Sequence, residues 1–151
     1  MTTKSKTFVG FVADFSTDGN PDSPPGKELA EFINNELIKL AWNVSKPSNR
    51  EGWAWEWTST RDDVSISTIV GFVDDMEATP PRQWLITNEI NTSMFKKVLG
   101  GKKLKLLGEN IIGNYCNQLH NAISRSPNFS DILWHDAKTF DTKNDIPSST
   151  P

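Results

Sequence analysis

Apolar and polar positions alternate over several short stretches of the chain and recur at threes and fours over two longer ones. Residues 7–15, TFVGFVADF, alternate: Val9, Phe11, Ala13 and Phe15 share one side and Phe8, Gly10, Val12 and Asp14 the other, which predicts a strand. Residues 16–26 are dense in turn formers and read as a loop. Ser23 before Pro24 predicts a helix cap and first helical position, with the helix running to about Trp42. Leu29, Phe32, Ile33, Leu37 and Leu40 form its apolar stripe. Residues 43–50 are polar, contain Pro47, and read as a connector.

The stretch GWAWEWTSTRDDVSISTIVGFVDD places Trp53, Trp55 and Trp57 at alternate positions. Two alternating runs around TSTRDD predict a hairpin. A two-residue turn at Arg61 and Asp62 sets Thr60 opposite Asp63, Trp57 opposite Ile66, Trp55 opposite Thr68 and Trp53 opposite Val70. The other side then pairs Ala54 with Ile69, Glu56 with Ser67 and Thr58 with Ser65, so one face is covered and one is wet. The three indoles read as core; the competing reading is an open aromatic platform that stacks a sugar, a base or a peptide ring.

Residues 74–82 read as a loop and 83–90 as a further strand, with Trp84, Ile86, Asn88 and Ile90 on one side and Leu85, Thr87 and Glu89 on the other. A short helical or irregular piece leads to Gly100-Gly101. A second helix is predicted over 103–124, its stripe formed by Leu104, Leu107, Ile111, Tyr115, Leu119 and Ala122 or Ile123, with Pro127 beyond its end. Residues 129–135 read as a last short strand, and 137–151 as a polar, mobile tail with little to bury. The elements predict an α+β fold: a two-layer sandwich in which two long helices pack on one face of an antiparallel meander sheet, in the order β-α-β-β-β-α-(β), within a single domain over 1–136.

Composition narrows this only modestly. The chain has 151 residues, a formal net charge of −3 and one cysteine, so an intramolecular disulfide is impossible. The N-terminal stretch lacks the apolar core of a signal peptide, and no run approaches the ~18 apolar residues of a membrane span, which leads us to expect a cytoplasmic protein without a membrane partner.

Candidate chemistry is sparse. Cys116 and His120 are four apart on the second helix and could share a face as a thiolate-imidazole pair, although the apolar stripe runs beside them. His135 and Asp136 adjoin, but neighbours in a strand point to opposite sides. Asp14, Asp18, Asn20 and Asp22 are rich in oxygen without the glycine and glutamate positions of a calcium loop, so we expect no metal and no cofactor. LGGKK has lysine where a phosphate loop needs its first glycine and its hydroxyl residue.

Charge is more telling. Between Glu51 and Pro80 seven acids face one base, and between Asn91 and Gly108 there are five lysines and no acid. Segregated charge steers partners. The sequence therefore points to a protein-binding module, of adaptor, inhibitor, immunity or chaperone type, rather than to an enzyme. Trp55, Glu56, Asp62, Asp63, Asp74, Asp75, Lys102, Lys103 and Lys105 are its candidate binding residues. Nucleic acid is disfavoured by the acidic balance and an isoelectric point near 5.4. The alternative is a small-ligand protein or enzyme with a Trp-lined groove between sheet and helices, to which Glu89, Cys116 and His120 would contribute.

Overall fold

The computed structural model describes residues 5–91 and 101–151; the side chains of 101–105 lie outside that description. The elements are β1 (Phe8–Ala13), α1 (Lys27–Lys39), β2 (Asn43–Val44), β3 (Ser48–Arg50), β4 (Ala54–Arg61), β5 (Val64–Asp75), β6 (Arg82–Ile90), α2 (Gly101–Ser124) and β7 (Phe129–His135). The strands form a seven-stranded antiparallel sheet in the order β2-β4-β5-β6-β1-β7, with β3 also pairing β4. Both helices pack on one face, giving the α+β two-layer arrangement that the periodicity predicts. Two short strands, β2 and β3, occupy the segment read above as a connector.

The alternation explains which face is covered. Val9 and Phe11, Trp55 and Trp57, Ile66 and Val70, Trp84 and Ile86, and Trp134 all project beneath the helices, where they meet Leu29, Ile33 and Leu37 of α1 and Tyr115, Leu119 and Ile123 of α2. Helix α1 starts later than Ser23-Pro24 suggests. Ser23 instead closes a tight turn with Asn20, and Gly26 (φ 104) immediately precedes the helix. Gly26 is held there by packing, because a Cβ on it would lie 2.9 Å from the Trp84 ring.

Two details of the opening hairpin differ from expectation. The turn residues are Asp62 and Asp63, with φ of 51 and 65, so Arg61 pairs with Val64 and Trp57 with Thr68. Every residue within the two strands keeps its expected face, but its partner shifts. Aspartate tolerates the left-handed conformation of a type I′ turn, while Arg61 stays in the strand and lays its guanidinium 3.9 Å from the centre of the Trp42 ring. Trp53, in turn, lies outside β4, is 52% exposed, and covers Gly71 on the opposite face from Trp55 and Trp57.

One polar chain runs through the core. The Tyr115 hydroxyl lies 3.0 Å from Ser59 Oγ, 2.8 Å from Thr68 Oγ1 and 3.3 Å from Trp57 Nε1. Thr68 donates to Asn88 Oδ1 at 2.9 Å, so its oxygen is free to accept from Tyr115; Tyr115 then accepts from Ser59 and Trp57. Asn88 passes the chain on to the Thr7 carbonyl at 2.9 Å. Burial pushes the Tyr115 phenol up to about 12, and its hydrogen bonds only partly offset this.

Residues 137–151, read above as a mobile tail, are placed against the sheet. Ser148 bridges Trp134 of β7 through both backbone groups, Phe140 stacks edge-on against Phe8 and His135, and Lys6 binds Ser148 Oγ at 2.9 Å. The hydropathy of the segment is low because these anchors are one ring and a backbone bridge rather than an apolar run.

Removing only the Tyr115 hydroxyl strands the Trp57 N–H and Ser59. Tyr115→Phe should lower unfolding free energy by about 1–3 kcal/mol in urea with an unchanged m-value. The double change with Thr68→Val should cost less than the two single costs added, because they share one bond. At the hairpin tip the sign reverses: Asp62→Asn with Asp63→Gly should raise stability by about 1 kcal/mol, read as an upward shift of the urea midpoint.

Candidate functional site

Several candidate residues are used by the fold itself. Trp55 is buried and its indole donates to the Pro24 carbonyl at 2.8 Å. Cys116 is fully buried, and burial pushes its thiol far above the usual range, so it carries no thiolate. His120 Nδ1 accepts from the Trp134 indole at 3.0 Å, which fixes the proton on Nε2 in the neutral ring, and burial holds its pKa below the ordinary value. Trp55, Trp57, Trp84 and Trp134 are all buried in the core between the sheet and the helices.

The remaining candidates scatter. Glu56 pairs with Arg50 at 2.7 Å on the wet face, and Glu89 is exposed opposite Ser67. Asp62 and Asp63 sit at one end of β5 and Asp74 and Asp75 at the other, and a twelve-residue strand puts those ends roughly 36 Å apart. They do not form one acidic surface. Lys102, Lys103 and Lys105 carry side chains outside the described residues.

The wet face brings together a group that no spacing in the sequence announces. In register across the sheet, Ala54, Gly71, Leu85, Gly10 and Leu133 form one row on the outer face. Both glycines in that row make room for a neighbour: the Trp53 ring lies over Gly71, and the Arg82 stem lies over Gly10. Past Gly10 the row opens into a cleft of about 410 Å³, floored by Gly10 and Leu133 and walled by the 75–82 loop, by Asp131 and by residues 141–147.

The charges of the cleft are unequal. Arg82 binds Asp75 at 3.1 Å and Asp141 at 3.2 Å and lies 4.9 Å from the centre of the Phe140 ring. Asp131, at the bulge in β7 with φ 54, is exposed at the rim. His135 Nδ1 lies 2.7 Å from Asp145 Oδ2, with side-chain exposures of 7% and 11%. Four carboxylates thus share the lining with a single guanidinium. Asp145 Oδ1 is inaccessible and has no hydrogen-bond partner among the described residues.

The sequence sets His135 beside Asp136 but puts the two on opposite sides of a strand. The structure pairs His135 with Asp145, and Asp136 instead accepts from the Lys138 amide at 2.8 Å to shape the turn that follows β7. Arg82, Asp131, Asp141 and Asp145 were missed because they come from separate segments brought together by β1, β6 and β7. Among the described residues no group of three or more His, Cys, Asp or Glu side chains has the geometry to hold a metal ion, and no helix is long and apolar enough to cross a membrane.

Comparison with known proteins yields no match to a protein-family model, to a curated protein or to a solved structure.

Burial makes Cys116 a kinetic reporter of unfolding. Iodoacetamide at mildly alkaline pH should leave it unmodified in the folded chain and alkylate it along the urea transition with the midpoint of the tryptophan signal; alkylation without denaturant would show an accessible thiol.

Proposed function

We propose that the chain is a protein-binding module that uses the outer face of its sheet and the loops beside it. One observation carries the reading. A cross-sheet row joins a half-exposed tryptophan, Trp53, to a charged cleft on the face that the helices leave uncovered. Strands are spaced ~4.8 Å apart, so two steps from Gly71 to Gly10 set the indole about 10 Å from the cleft floor. An aromatic anchor beside a polar rim is the usual anatomy of a binding hot spot. Val73, two residues beyond Gly71 on the same face, is also exposed and extends the apolar part of the surface.

The sheet's other face supports the same reading by being occupied: its hydroxyls are spent on the Tyr115 chain and its rings on the helices. The acidic balance of the cleft favours a basic protein surface over nucleic acid. The single buried thiol suits a reducing, cytoplasmic setting. A second reading, a small-ligand protein, is supported by the size of the cleft, which falls in the range of ~300–1,000 Å³ typical of ligand pockets.

Affinity capture from host lysate with four chains separates these readings. Wild type should retain one stoichiometric protein. Trp53→Ala and Asp131→Lys should each weaken that capture by at least about tenfold, near 1.4 kcal/mol. Asp62→Lys with Asp63→Lys, at the far end of β5, should leave it unchanged. Loss confined to the distant pair, or no stoichiometric partner at all, rejects the outer-face module and leaves the small-ligand reading.

A further inference from the structure

We infer that residues 136–151 act as a strap that lifts from the sheet as a unit while the rest of the fold stays intact, so that one wall of the cleft is made and unmade in the native protein. This goes beyond the binding reading above, and its test needs no partner. None of the residues 136–151 is buried, whereas β7 ends just before them on two buried residues, Trp134 and His135. Closing the strap therefore covers little apolar area, and apolar burial is the main reason a segment opens only with the whole fold.

A short set of directional contacts holds the strap. Ser148 and Trp134 exchange two backbone hydrogen bonds, at 2.7 and 2.9 Å. Lys6 donates to Ser148 Oγ and to the Ile146 carbonyl. Phe140 sets its ring edge-on to Phe8 and to His135 and lies under the Arg82 guanidinium. Arg82 also reaches Asp141, whose side chain is 65% exposed, and such exposed pairs stabilise little. The remaining anchor, His135 Nδ1 to Asp145 Oδ2 at 2.7 Å, brings a penalty with it. It draws Asp145 in so far that Oδ1 is inaccessible and has no hydrogen-bond partner among the described residues. A desolvated carboxylate oxygen without a donor is unfavourable, and lifting the strap returns it to water. The closed state thus contains a strain that the open state lacks.

Opening takes Asp141, Thr142, Asp145 and Pro147 out of the cleft and leaves its floor and the 75–82 wall in place. It also frees the outward backbone groups of Trp134 on the last strand of the sheet. A contact made to the 141–147 wall favours the closed state, which couples occupancy of the cleft to the strap.

Strand β7 supplies its own reference for the test. Adjacent residues of an antiparallel strand turn their amides to opposite edges, so Leu133 and His135 face β1 while Trp134 faces Ser148. The experiment is native-state amide hydrogen exchange of the full chain by NMR, with and without sub-denaturing urea. Trp134 and Ser148 should share one protection factor, at least about a hundredfold below those of Leu133, His135, Val70 and Ile86, and nearly independent of urea. Phe140→Ala should speed exchange at Trp134 and Ser148 by about tenfold or more. Tyr115→Phe, which weakens the core that both strap states keep, should speed Val70 and Ile86 and leave Trp134 and Ser148 unchanged. Equal protection and urea dependence at all six amides, or joint acceleration in Tyr115→Phe, would show that the strap opens only when the protein unfolds and overturns the inference. Exchange of Leu133 and His135 together with Trp134 would make β7 the moving unit and overturns it as well.

Discussion

The architecture hangs on where one hydroxyl sits. Tyr115 extends from α2 to the middle of the sheet and there must find partners, because an unsatisfied buried hydroxyl is costly. Ser59 of β4, Thr68 of β5 and, through it, Asn88 of β6 supply them in a single direction of donation that ends at the Thr7 carbonyl. This chain fixes how deeply α2 lies and how it is rotated, since apolar packing alone tolerates sliding and hydrogen bonds do not. The edge of Trp42 rests on the Tyr115 ring, and Arg61 rests on Trp42 while reaching the Leu40 carbonyl. The end of α1 is thereby tied to the same point as α2 and β4. Apolar burial makes the two layers adhere, and the hydroxyl chain gives them one orientation.

Alternation in the sequence was sufficient for residues whose strand continued beyond them. Trp55, Trp57, Trp84 and Ile86 all lie where period two puts them. It failed for Trp53, because the strand stops at Ala54: Glu51 and Gly52 both take positive φ and turn the chain before the pattern completes. The hairpin register was off for a comparable reason. Composition alone cannot rank Arg61 against Asp63 as a turn residue, since the deciding contact is with Trp42, some twenty residues earlier. The cleft was illegible altogether. Its residues come from positions between Gly10 and Pro147 and meet only because β1 lies between β6 and β7. His135 was visible in the sequence, but its carboxylate partner lies ten residues on, where no spacing pointed.

The two faces of the sheet divide labour. The inner face has its rings packed and its hydroxyls satisfied, with the buried Trp84 Nε1 left without a partner among the described residues. The outer face holds further exceptions: two glycines across which larger side chains lie flat, an exposed indole, and a carboxylate oxygen without a donor. Foldable sequences concentrate such local inconsistencies where they serve a purpose. In this chain most of them sit together on the outer face, which is why that face rather than the Trp-rich core carries the functional argument.

The place of β1 in the sheet also sets the order in which the protein can be made. Its hydrogen-bonding edges wait for β6 on one side and β7 on the other, so β1, made before both, is among the last of these strands to be paired. Translation at ~5–20 residues per second leaves Phe8–Ala13 without either neighbour for several seconds. Meanwhile β4 and β5, joined by a two-residue turn, can zip locally. The nascent chain therefore carries a formed hairpin while β1 awaits both of its neighbours, a high-contact-order route that favours slow folding.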